Sequence, residues 1–394
     1  MTVLAPSRPA LVRAFSAPRG FGDQTLRDRR PDAIELLGGI PDPSVLPTAE
    51  LAEATARVLS APGAPSLQYS RTEGIPALRE WIAAHEGVPV DRVLVTNGGF
   101  HGLAIAVQTV LERGDLVAVD NPVFPLFLRG LELADARVLP IRVGAEGLDV
   151  DALAAELRAG ARPAAVYTVP EFHNPSQSSL PTARRRELVD LAEKYGFVVF
   201  ADDPYRELRF AGEPESLAPF HDSAHVIHVN TFTKTLGPGL RLGWVVLPER
   251  LVPDAVALRS RQDSHSSTFV QAVVAELLTS DAGLFDRVLG RARALYRSRA
   301  HALADALSAS GAFDVTVPDG GLFLWPRLND DSLDADRLAA DASAEGVEYQ
   351  RGSFFPSGPG TDADRHLRLA YGDTSEEPLR EAAARLGRAV ARQR

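Results

Sequence analysis

The sequence predicts an α/β protein: a large domain built on a mostly parallel central sheet, joined to a smaller α+β domain. Three observations carry this. Short β-branched runs without apolar–polar alternation recur through the middle of the chain, as a sheet buried on both faces requires. Segments of helical period lie between several of them, and a repeated strand–helix order implies parallel strands. Beyond about residue 283 this order gives way to one long amphipathic pattern followed by short strands and helices.

In chain order, "RVLVTN" (92–97) reads as a strand and "GFHGLAIAVQTVLERG" after it as a helix. "LVAVD" (116–120) is a strand, followed by the helical "FPLFLRGLELAD". "ARVLPI" (136–141), "AAVYTVP" (164–170), "GFVVFADD" (196–203), "HVIHVNT" (225–231) and "LGWVVLP" (242–248) are further strands, and "PTARRRELVDLAEKYG" is a helix between two of them. "LFDRVLGRARALYRSRAHALADALSAS" forms one long helix. The strands "GLFLWPRL", "VEYQRG" and "HLRLAYG" come after it, with helices "DADRLAADASAEG" and "EEPLREAAARLGRAVARQ". The expected division is a large domain at 45–285 and a small one made of 1–44 with 286–394.

Composition narrows the function. A chain of 394 residues suits two domains, and 45% apolar with 24% charged residues is ordinary for a soluble globular protein. The net charge of −10 argues against nucleic acid or an anionic membrane as a partner. There is no cysteine, which excludes disulfides, thiolate metal sites and thiol catalysis. No signal-peptide pattern and no run of about 18 apolar residues occurs, so a cytoplasmic protein without a membrane span is expected. About 35 residues precede "LLGGIPDP", with no helix-turn-helix pattern, which disfavours a DNA-bound regulator.

Lysine is scarce. Lys194 and Lys234 are the only two among 42 basic side chains. Arginine serves almost wherever a positive charge is needed, but guanidinium cannot become a neutral nucleophile, and an amine can. Lys234 lies in "TFTKTLGPGLRLGW", a glycine-rich turn with hydroxyls at Thr231 and Thr233 and a cation at Arg241. "FADDPYREL" places Asp202, Asp203 and Tyr205 after a strand. "PEFHNPSQSSLP" holds Asn174 in an Asn-Pro turn, and "TNGGFHGLAIA" sets small residues between a strand and a helix, where backbone N–H groups suit a phosphate. In "HLRLAYG", Arg368 lies on the opposite strand face from Leu367 and Leu369.

Together these segments resemble pyridoxal-phosphate enzymes of fold type I, in the class I/II aminotransferase family of the aminoadipate and aromatic kind. The resemblance runs from "LLGGIPDPSVLP" near 36–47 to "HLRLAYG" at 366–372. It implies that Lys234 forms a Schiff base with pyridoxal 5'-phosphate and then moves protons. It implies further that Asp202 pairs with the pyridine nitrogen, while Tyr205 and Asn174 contact the phenolic oxygen. Thr231, Thr233, Arg241, Gly99 and Phe100 surround the phosphate, and Phe124 stacks on the ring. Arg368 grips the substrate carboxylate, with Gly39 and Asn174 beside the substrate. Tyr69, in "LQYSRTEGIPALREWIA", reaches the phosphate of a neighbouring subunit, so a homodimer with shared active sites is expected. The substrates implied are an amino acid and a 2-oxo acid, and no metal is implied.

This copy departs from the family pattern at several points. His173 stands for a glutamine, Ser176-Gln177 for Thr-Gly, Phe124 for a tyrosine, and Gly99-Phe100-His101 for a polar triplet. Arg351 replaces a proline, and is either a surface residue or a substrate contact. These departures leave room for other chemistry on the same cofactor, such as elimination, cyclisation or oxidation. They also leave the substrate side chain open.

Overall fold

A computed structural model describes residues 9–15 and 32–393. Much of the N-terminal segment assigned to the smaller domain therefore lies outside the described residues. The first strand, β1 (Ile34–Leu36), belongs to the smaller sheet. The next eight form the central sheet: β2 (Val93–Thr96), β3 (Leu116–Asn121), β4 (Arg137–Gly144), β5 (Gly147–Leu148), β6 (Ala165–Thr168), β7 (Val198–Asp202), β8 (Val226–Thr231) and β9 (Gly243–Val246). Their order is β2-β9-β8-β7-β6-β3-β4-β5. From β8 to β4 every neighbour is parallel, while β9 runs antiparallel between β2 and β8.

The unalternated apolar runs are explained by burial on both faces. Val117 and Val119 of β3, Tyr167 of β6 and Val198 and Phe200 of β7 pack into one core cluster. Ala118, Val166, Val199 and Ala201, one residue out of step, pack into another on the opposite face. Helices Gly99–Val110 and Pro125–Glu132 contribute to the first, Val150–Ala159 and Thr182–Tyr195 to the second. Such a sheet carries its functional groups at the carboxyl ends of the parallel strands, where the chain leaves the core. Asn121, Thr168, Asp202 and Thr231 all stand at those ends.

The C-terminal part adds β10 (Phe313–Asp314), β11 (Phe323–Leu324), β12 (Arg327–Leu328), β13 (Val347–Arg351) and β14 (Leu367–Ala370). A four-stranded sheet of order β1-β13-β14-β11 puts Arg368 on an inner strand. The helix Leu284–Ala309 is continuous, as its period predicts. Among the described residues no single helix is long and apolar enough to cross a membrane.

Some expectations fail locally. "GLFLWPRL" is not one strand: β11 joins the four-stranded sheet, whereas β12 pairs with β10. Pro326 between them has no N–H to donate to a ladder. The strand expected at 136–141 runs on to Gly144 and folds back on β5. The helix after β2 stops at Val110 rather than at 114. β1 has only three residues and no readable period; its parallel pairing with β13 defines it.

Candidate active site

Lys234 is set by the turn that follows β8. Thr231 ends the strand and caps a short 3-10 helix, Phe232–Lys234, by accepting the Thr233 N–H at 3.1 Å. Its hydroxyl also donates to the Leu242 carbonyl at 3.0 Å and lies 2.8 Å from the Thr233 hydroxyl. The chain then turns through Gly237 and through Arg241 at φ +48°, a left-handed conformation costly for a residue with a Cβ. Two glycines make the close packing possible. A Cβ on Gly98 would lie 2.7 Å from Arg241 Nη2, and one on Gly243 2.7 Å from the Asn230 carbonyl oxygen. The helix Gly99–Val110 starts here without a side-chain cap, leaving its first-turn N–H groups to a ligand or water.

A cavity of about 140 Å³ opens at this point, between the carboxyl ends of β7 and β8 and the segments that follow β2, β3 and β6. It is lined by Gly99, Phe100, Phe124, Asn174, Asp202, Tyr205, Thr231, Thr233, Lys234 and Arg241, with Leu103, Val169 and Pro204. The half-buried Lys234 donates from Nζ to the Gly39 carbonyl at 2.7 Å. Burial, then the positive charges of Arg368 and Arg241, lower its pKa to about 8 against the pull of Asp202. Asp202 is pushed up to about 7 by burial, with Asp203 adding to the rise. A hydrogen bond from Tyr167 Oη to Asp202 Oδ2, 2.9 Å long, works the other way. Burial likewise raises the Tyr205 phenol.

A hydrogen-bonded chain links the cavity to the smaller sheet. Asn174 Nδ2 donates to Tyr205 Oη at 3.3 Å, and Arg368 Nη1 donates to Asn174 Oδ1 at 3.0 Å. Arg368 Nη2 also donates to the Leu37 carbonyl. The guanidinium lies over the rings of Phe323 (4.2 Å) and Phe355 (5.2 Å), and burial lowers its pKa to about 9. So Arg368 and Gly39 join the cavity residues through single hydrogen bonds.

Other residues singled out by sequence lie elsewhere. Tyr69 is 93% exposed and lines no part of the cavity. Arg351 pairs with Asp336 at 2.9 Å, on the surface. His101 Nδ1 accepts the Asn97 N–H at 3.0 Å, a bond that shapes the turn before its helix. His173 is buried, with Nε2 3.2 Å from Asp120 and Nδ1 2.8 Å from the Ser176 hydroxyl. Asp203 faces away from the cavity into a buried chain, with His228 at 3.3 Å and His221 3.1 Å beyond. Glu86 ends that chain; burial opposes its charge, but His228 and Arg206 hold it down to about 2.

Two residues were missed. Tyr167 reads as part of an apolar strand. Gln177 stands where the family pattern has glycine, and adopts φ +67°. Its amide meets the Phe323 carbonyl and accepts the Trp325 N–H at 2.7 Å. The departure from glycine was the available signal for it.

The model of the family described as aminotransferase class I and II matches residues 39–386. The chain belongs to that family. A 2-aminoadipate transaminase of Thermus thermophilus is 34% identical over 369 residues, covering 92% of this chain and 91% of the relative. An aromatic-amino-acid aminotransferase of Thermococcus litoralis is 30% identical, covering 91% and 88%. The crystal structure of an α-aminoadipate aminotransferase from Thermus thermophilus, complexed with N-(5'-phosphopyridoxyl)-L-leucine, superposes with a TM-score of 0.86 at 32% identity. That match covers 98% of this chain and 97% of the other. The protein is thus a fold type I aminotransferase that uses pyridoxal phosphate and acts on amino acids and 2-oxo acids.

Proposed function

We propose that this aminotransferase works through Lys234, with Asp202, Tyr205 and Asn174 holding the cofactor ring and Arg368 the substrate carboxylate. The observation that carries this is the cavity itself. It gathers a lysine of lowered pKa, a buried carboxylate and an arginine-and-glycine turn from strand ends far apart in sequence. Its polar groups fit the cofactor: first-turn N–H groups, Thr233 and Arg241 can donate to a phosphate, Asp202 can accept from a protonated ring nitrogen, and Asn174 and Tyr205 can meet a phenolic oxygen. When bound, pyridoxal phosphate supplies an aldehyde that condenses with amines and a ring that withdraws electrons from the substrate Cα.

The chain's own residues do the rest. With its pKa near 8, about a tenth of Lys234 is neutral at pH 7, far more than for an ordinary lysine. With the cofactor bound and its own amine free, Lys234 would be the group that takes up and returns the proton leaving the substrate Cα. Asp202 keeps the ring nitrogen protonated, and Phe124 offers a face for stacking. Arg368 fixes the carboxylate, and with it the orientation of the Cα–H bond. The exposure of Tyr69 (93%) and Leu67 (62%) supports a homodimer in which Tyr69 reaches the partner's phosphate.

A single turnover without acceptor tests the reaction. One equivalent of 2-oxo acid and one of pyridoxamine phosphate are expected, and none from Lys234→Ala or Lys234→Arg. Release of ammonia with the cofactor unchanged would mean elimination or oxidation instead.

A further inference from the structure

Asp202 does not stand alone beneath the cavity. On β6, Tyr167 is in register with Phe200 of β7, so Asp202 is its diagonal neighbour two residues on. Diagonal same-face neighbours lie within reach of a long aromatic side chain. The Tyr167 hydroxyl crosses that gap and donates to Asp202 Oδ2 at 2.9 Å. Among the described residues none donates to Oδ1, and Asp202 lines the cavity.

Tyr167 is rigidly held. It is fully buried, and its ring stacks on Phe127 with centroids 3.5 Å apart and planes 9° from parallel. Burial and the neighbouring Asp202 push its own pKa well up, so it remains a donor at any working pH. The other titratable groups whose charge acts on Asp202 are its chain neighbour Asp203, His228 from β8, Lys234 across the cavity and Tyr205. Asp203 opposes the charge on Asp202; His228 and Lys234 favour it.

We propose that Tyr167 is a positioning residue for the aminotransferase reaction. By occupying Oδ2, it keeps Asp202 ionised and presents Oδ1 alone to the cofactor's ring nitrogen. This rests on the role given to Asp202 above. A charged acceptor gains more from a hydrogen bond than a neutral one, so losing this donor makes Asp202 harder to ionise.

Tyr167→Phe removes the hydroxyl and keeps the ring on Phe127, so the fold should survive; its melting temperature checks this. The full chain, freed of cofactor, is titrated with pyridoxal phosphate from pH 5.5 to 9. Binding should strengthen as Asp202 ionises, and in Tyr167→Phe that inflection should move up by about one pH unit, with affinity near pH 7 about fivefold weaker. In an Asp202→Ala background the same change should cost nothing further. An unmoved inflection in a stable Tyr167→Phe protein overturns the inference, as does a full additional loss in the Asp202→Ala background. If Asp202→Ala itself leaves affinity and bound-cofactor absorbance unchanged, the reading of Asp202 falls first, and the role of Tyr167 with it.

Discussion

If Arg368 holds the substrate carboxylate as proposed, replacing it with alanine should separate binding of the substrate from binding of the cofactor. Two costs follow from the structure. A carboxylate in this buried site loses its two-pronged partner, about 2–5 kcal/mol, or roughly 30- to 5,000-fold in affinity. Asn174 Oδ1 and the Leu37 carbonyl also lose a donor, which costs about 1–3 kcal/mol of stability for each acceptor that water does not reach. The measurement is the Michaelis constant for an L-amino acid, set against that for an amine of the same side chain without the carboxylate. Arg368→Ala should raise the first by the stated factor and leave the second nearly unchanged. Arg368→Lys should recover only part, because an ammonium cannot make both parallel bonds. There is a second signature. Arg368 is among the charges that depress Lys234, so its loss should raise the lysine pKa above about 8. Equal effects on amino acid and amine, with a stable protein, would refute the reasoning and place the carboxylate elsewhere.

On the proposed role of Lys234, the rate of pyridoxal-phosphate incorporation should rise with pH and level off above about 8, because only a neutral amine attacks an aldehyde. A rate flat between roughly pH 6.5 and 9 would show that the lysine is not the group limiting capture. Gln177→Ala should lower stability to denaturant by about 1–3 kcal/mol by deleting the bonds to Phe323 and Trp325. Gln177→Gly should recover about 1 kcal/mol of that, since glycine accepts the left-handed backbone. Equal stability of the two variants would mean that φ +67° is not strained in the folded chain.

What the sequence determined by itself is local. The strands from β2 to β9, apart from the partly exposed β4 and the two-residue β5, show in their unalternated apolar runs, because burial on both faces leaves that mark within each run. The long helix Leu284–Ala309 shows in its period. Lys234, Asp202 and Asn174 stand out because amine chemistry, a carboxylate after a strand and an Asn-Pro turn are each visible within a few residues. The tertiary structure decided which distant groups meet. Nothing local separates Tyr167 from the apolar residues around it; only the register of β6 on β7 brings its hydroxyl to Asp202. The fold also gives Asp203, just past the end of β7, its partner His228 on β8, a pairing between separate segments. Gln177 gains partners only because β11 comes to rest beside it, nearly 150 residues along the chain. Arg351 and Arg368 are both strand arginines in sequence, and packing sends one to Asp336 at the surface and the other to Asn174 in the interior. Such pairings are contacts between distant segments, and no single segment carries a record of its partner.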